Sequence, residues 1–115
     1  YMDNSGDAPL IAQVQLPDGA TIHSIRYHGR DTNSTKNIGL SLRRWANGAQ
    51  APSLYATHTS SGSGGTFNVL KTLDQNVNND TRTIFVHVRA IGGNGDWPSD
   101  GSLAIRSAVI EYTVD

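Results

Sequence analysis

A chain of 115 residues with a formal net charge of −1 and no cysteine fits one domain, burying roughly two thirds of its unfolded surface, without disulfides, thiol chemistry or cysteine-ligated zinc. Only Lys36 and Lys71 represent lysine, so no broad electropositive face is expected for a phosphate backbone, which argues against nucleic acid. No apolar run approaches the ~20 residues of a spanning helix, and no membrane span is expected.

Tyr1–Ala8 is small and polar: Tyr1, Met2, Asp3, Asn4, Ser5, Gly6, Asp7 and Ala8 show no periodicity. Residues 1–9 read as an arm or linker end ahead of a domain at 10–115. The chain opens on Tyr1 rather than Met, so upstream residues, a signal sequence among them, are expected. Leu10–Ile25 then reads as two strands meeting at a corner. Leu10, Ala12 and Val14 alternate with Ile11, Gln13 and Gln15, and Pro17-Asp18-Gly19 supplies turn chemistry: a preset φ, a side chain that bonds its own backbone, and a residue free to take positive φ. In the second strand Ile22, Ile25 and Tyr27 do not share one parity. A single extra residue near Ser24, a β-bulge, brings them to a common face.

Gly29–Lys36 is polar and reads as a loop. Asn37–Trp45 has the clearest period of two, with Ile38, Leu40 and Leu42 against Asn37, Gly39, Ser41 and Arg43. Asn47-Gly48 signals a hairpin, and Pro52 delays the returning strand, Leu54–Thr59. Ser60–Gly65 reads as a flexible connection, Thr66–Leu73 as a strand, and Asp74–Arg82 as a loop with Val77 tucked inward. Thr83–Ala90 carries bulk on both faces, Ile84, Val86 and Val88 against Phe85, His87 and Arg89, which places it centrally. After the long loop Gly92–Gly101, Ser102–Val114 closes the chain as a strand. Leu103, Ile105, Ile110, Tyr112 and Val114 point inward there, past an irregularity near Ser107. Short strands at this spacing, with no helical period lasting three turns, predict an all-β fold: a single antiparallel β-sandwich of jelly-roll type with seven or eight strands. Its two sheets leave four edges to be protected.

Reactive constellations are scarce. His23, His28, His58 and His87 show no i, i+4 pair on a helix for zinc and read as strand-face histidines. No nucleophile elbow precedes a helix. Glu111 is the only glutamate, outward on the last strand, so the facing carboxylates of a glycosidase are not evident. Asn94, Asp96 and Asp100 are weak calcium candidates, oxygen-bearing loop residues without the spacing of a dedicated calcium loop. Trp97, with Trp45 and Tyr55, is a candidate sugar contact, set against a role for Trp97 in capping one end of the sandwich. Asn33-Ser34-Thr35 and Asn79-Asp80-Thr81 match the glycosylation sequon in predicted loops.

LIAQVQLPDGATI, a polar loop, IGLSLRRW, a serine- and glycine-rich loop, TIFVHVRA and the terminal VIEYTV together resemble a β-sandwich module of exported bacterial proteins of unassigned function. The resemblance runs from Leu10 onward and rests on architecture, so no catalytic residue comes with it. It implies an extracellular or cell-surface location. Similar jelly-roll modules serve as subunits of extracellular filaments, in which an N-terminal extension completes a neighbour's sheet; Tyr1–Ala8 occupies that place here. Independently, an unpaired edge and a free arm pair with another copy through backbone ladders, and a head-to-tail contact that does not close propagates. The expectation is a non-enzymatic structural subunit that assembles with copies of itself, without a cofactor. A carbohydrate-binding module is the first alternative, and a hydrolase the second.

Overall fold

The computed structural model describes residues 10–61, 65–92, 97–98 and 101–114. The arm Tyr1–Ala8 and the calcium candidates Asn94, Asp96 and Asp100 lie outside the described residues. Seven strands follow in order: β1 (Leu10–Val14), β2 (Thr21–Asp31), β3 (Asn37–Ala46), β4 (Ser53–Thr59), β5 (Gly65–Asn76), β6 (Arg82–Ile91) and β7 (Leu103–Thr113). All pairings are antiparallel. One sheet has the order β1-β6-β3-β4 and the other β5-β2-β7, packed as the expected all-β sandwich. Only β3 and β4 join as a hairpin within a sheet; every other connection crosses between the two layers.

The crossing from β1 to β2 is made by the Pro-Asp-Gly turn. Gly19 takes a φ of 84°, Ala20 N donates to Pro17 O at 3.1 Å, and Gly19 N donates to Val77 O at 2.9 Å. Val77 is buried, as its isolation in a polar stretch suggested. The irregularity in β2 falls between Ile22 and Ser24: His23 is the extra residue against β7, while against β5 it stands opposite two residues, Leu73 and Asp74. Ile22, Ile25 and Tyr27 consequently all point inward and are fully buried, each worth about 1.5–3 kcal/mol of apolar transfer. They meet Ile38, Leu40 and Leu42 of β3 and Ile84, Val86 and Val88 of β6 in one core. β6 lies between β1 and β3, which accounts for the bulk on both of its faces.

Several loop expectations are corrected. Gly29, Arg30 and Asp31 continue β2, and Asp74, Gln75 and Asn76 continue β5, which alternates half-buried and exposed over its whole length. Polarity alone misleads at such positions, because the outer face of an antiparallel sheet needs no apolar residue and an inward polar residue such as Asp31 is tolerated where it is hydrogen-bonded. Gly29 sits where a Cβ would lie 2.5 Å from Ala104 O and 2.7 Å from Phe67 Cζ, so the strand requires glycine there for close approach. Asp31 is buried; its carboxylate accepts from the Ser60 hydroxyl and from Asn33 N at 3.0 Å. Ser60 Oγ also accepts from Ile38 N at 2.7 Å, so the presumed flexible connection begins with an anchored residue. At Asn47-Gly48, Ala49 N donates to Ala46 O at 3.0 Å, with Gly48 at φ 80° and Asn47 not at positive φ. The hairpin therefore lacks the two successive positive-φ residues of a type I′ turn. In β7, Leu103, Ile105 and Ile110 pack inward past an irregularity opposite His28 and Gly29, whereas Tyr112 and Val114 are exposed. Tyr112 stands opposite the fully buried Ile22, so its exposure comes from the position of β7 at the edge of its sheet.

Candidate functional site

The two long flanks of the sandwich differ. On one, β4 lies over β5. The His58 and Phe67 rings meet at 5.8 Å, and Tyr27, reaching across from β2, donates its hydroxyl to Ala56 O of β4 at 2.8 Å. Burial pushes the Tyr27 phenol well above its usual pKa, so it remains a donor at any physiological pH. This bond closes the flank by tying one sheet to the other.

On the opposite flank, β1 is the edge of the four-stranded sheet and β7 the edge of the three-stranded one. Between them runs a groove of about 400 Å³, lined by Leu10, Ala12, Val14, Val86, Val88, Ile105, Ala108 and Ile110 with polar contributions from Gln13, Arg106 and Ser107. Register explains its origin. Ala12 pairs with Val86 and Ala108 with Tyr27, so both alanines have the parity of core residues; yet both are exposed. Small side chains stand where larger ones would have met across the seam, and among the described residues the three-stranded sheet has no further strand to cover the inner side of β1.

The edge bordering it is weakly protected. Natural edges carry charges, proline or bulges that prevent pairing with another chain. β7 has its irregularity between Ile105 and Ser107, but beyond it Ser107–Thr113, SAVIEYT, has Glu111 as its single charge. Val109 is 58% exposed and Tyr112 41%. Among the described residues, the free side of β7 therefore borders an apolar furrow with its N–H and C=O groups unpaired to another strand, the arrangement that accepts an added β-strand.

The sequence candidates are dispersed. Trp97 is half-buried and packs against the core. Trp45 is 42% exposed and donates Nε1 to Ala49 O at 3.1 Å in the β3–β4 hairpin. The Arg44 guanidinium lies 5.4 Å from the centre of the Tyr55 ring, and burial raises the phenol pKa of Tyr55 against the opposing pull of Arg44 and Arg82. Both sequon asparagines hold turns. Asn33 Nδ2 donates to Ser102 Oγ at 3.0 Å, while its Oδ1 accepts from Thr35 N and Lys36 N. Asn79 Nδ2 donates to Leu16 O at 3.0 Å, and its backbone N donates to Asp18 Oδ1 at 2.8 Å. His23 shares a 2.8 Å hydrogen bond with Thr113 Oγ1. Among the described residues no group of three or more His, Asp or Glu side chains converges on a metal-sized site, and no helix is long and apolar enough to cross a membrane.

Sequence reasoning missed the groove, although its signal was present as alanines at inward parity in the first and last strands. Comparison with protein-family models, with curated proteins and with solved structures found no match.

Proposed function

We propose that the protein is a non-enzymatic structural subunit of an extracellular or cell-surface assembly, joined to further copies of itself by strand addition in the β1/β7 groove. One observation carries this reading: an apolar furrow with an unpaired strand along one wall and exposed alanines on its floor. An incoming extended segment pairs with the free edge of β7 and places every second side chain over Ala12 and Ala108. The ladder sets alignment and the pockets set affinity.

The occupant we assign is the segment 1–9 of a second copy. It immediately precedes β1, and nine extended residues reach about 30 Å, enough to pair along Ser107–Thr113. Its large apolar side chains, Tyr1 and Met2, are the anchors for the furrow. Because donor and acceptor are different surfaces, each added copy presents a fresh groove and growth does not close on itself.

Light scattering and negative-stain microscopy of the purified chain test this reading. Concentration-dependent polymers are expected, with monomers on deletion of Tyr1–Ala8 and on Ala108→Arg. A chain that stays monomeric at every concentration, or polymers that persist in both variants, would overturn the assignment.

A further inference from the structure

The outer face of the four-stranded sheet lies away from the groove, and its charge is one-sided. β1, β3, β4 and β6 contain no aspartate or glutamate; of their arginines, Arg43 and Arg89 share the outer face with His87, whereas Arg44, opposite the buried Ile84, and Arg82, opposite Ala46, have inward parity. A net charge of −1 for the whole chain conceals this segregation: Asp31, Asp74 and Glu111 all lie on the strands of the other sheet.

Pairing register brings part of that charge to one spot. Thr59, Gly39 and Arg89 form one row across β4, β3 and β6, and Thr57, Ser41 and His87 form the next. Arg43 follows on the same side of β3. Together they surround a shallow depression of about 140 Å³, the volume of several waters at about 30 Å³ each. Gly39 contributes no side chain to its floor, and the Ile91 side chain lies over that position. Arg43 Nε donates to Ser41 Oγ at 2.8 Å, which fixes the guanidinium while its Nη groups have no protein partner among the described residues.

The positive groups disfavour one another. The Arg43 pKa is lowered by burial and by Arg89, and that of His87 by burial, then Arg43 and Arg89. β1 faces His87 with Ile11, and β4 contributes the Thr57 and Thr59 hydroxyls together with Leu54 and the titratable His58, so no neighbouring strand supplies a negative charge. Like charges held together without a counter-charge are costly, and a bound anion removes that cost.

We infer that the depression formed by Arg43, His87 and Arg89, with Ser41, Thr57 and Thr59, binds a sulfate or phosphate group. Two guanidiniums offer paired N–H donors to a tetrahedral oxyanion, the threonine hydroxyls offer more, and protonated His87 adds a third positive charge. Affinity therefore rises as pH falls through the titration of His87, and the bound anion in turn raises the His87 pKa.

An NMR titration of the His87 ring tests this, run with inorganic sulfate and inorganic phosphate against sodium chloride of equal ionic strength. The expected result is an upward move of the His87 pKa by about one unit, with affinity reduced about tenfold in Arg89→Gln and in Arg43→Gln. Arg89 is exposed, so its replacement leaves the fold intact, and Arg26→Gln on the opposite sheet is the control expected to change nothing. Retention on dextran sulfate beyond what the inorganic ions predict assigns the group to an ester on a polysaccharide. Retention no stronger than that assigns the free ion. A His87 pKa that answers sulfate and phosphate no more than chloride, arginine variants that bind like the parent, or equal retention on unsulfated dextran would each overturn the site. The Tyr1–Ala8 deletion serves for the same titration, so its outcome is independent of assembly.

Discussion

Along the β4/β5 flank the two sheets meet through a ring contact and the cross-sheet bond from Tyr27 to Ala56; along the β1/β7 flank the same core ends in an open furrow floored by alanine. Both flanks are built from alternating strands of similar composition. What separates them is side-chain volume at inward positions and the number of strands in each sheet. Four strands over three leave one edge without cover, and small residues beneath that edge keep the space open rather than collapsed. A closed flank supplies stability, whereas an open one leaves apolar surface exposed, the kind of surface that marks interaction sites in proteins generally.

The largest effect that separates them is expected at Tyr27. Tyr27→Ala removes a fully buried ring from the closed side and costs about 3–5 kcal/mol in denaturant unfolding; a loss below about 1 kcal/mol would mean that this contact does not hold the sheets together. Asp31→Ala strands the Ser60 hydroxyl and Asn33 N–H and costs about 1–3 kcal/mol, measured in the same way. Ala108→Leu on the open side should change stability by under about 1 kcal/mol, since the space already exists, while abolishing assembly in light scattering. Unchanged assembly there would separate the furrow from self-association.

The smallest effect is a pH dependence. Burial lowers the His58 pKa, with Lys71 adding to it, and burial lowers that of His87. Each folded-state value lies below the unfolded value, so the unfolded chain binds protons first. Stability is therefore full above about pH 6.5 and declines as pH falls below it. Thermal melts between neutral and mildly acidic pH should show this decline, and His58→Gln combined with His87→Gln should flatten it.

Local chemistry made much of the fold legible. The broken parity of Ile22, Ile25 and Tyr27 announced the bulge at His23, and bulk on both faces placed β6 centrally. Local chemistry was silent where a residue's neighbours are remote in sequence. Asp31 and Ser60 read as loop residues because polar side chains favour turns; their burial depends on a partner 29 positions away. Arg43, His87 and Arg89 look dispersed until β3 and β6 are paired.

By itself the sequence determined the strands, most of the turns and which side of each strand is apolar, since alternation and turn chemistry act over a few residues. Tertiary structure alone decided that β1 pairs with β6 and β7 with β2, leaving Ala12 and Ala108 at an unclosed seam, and that Arg43, His87 and Arg89 come together on one face. Long-range pairing decides which inward residue is covered: an alanine of core parity is buried only if a strand lies opposite it.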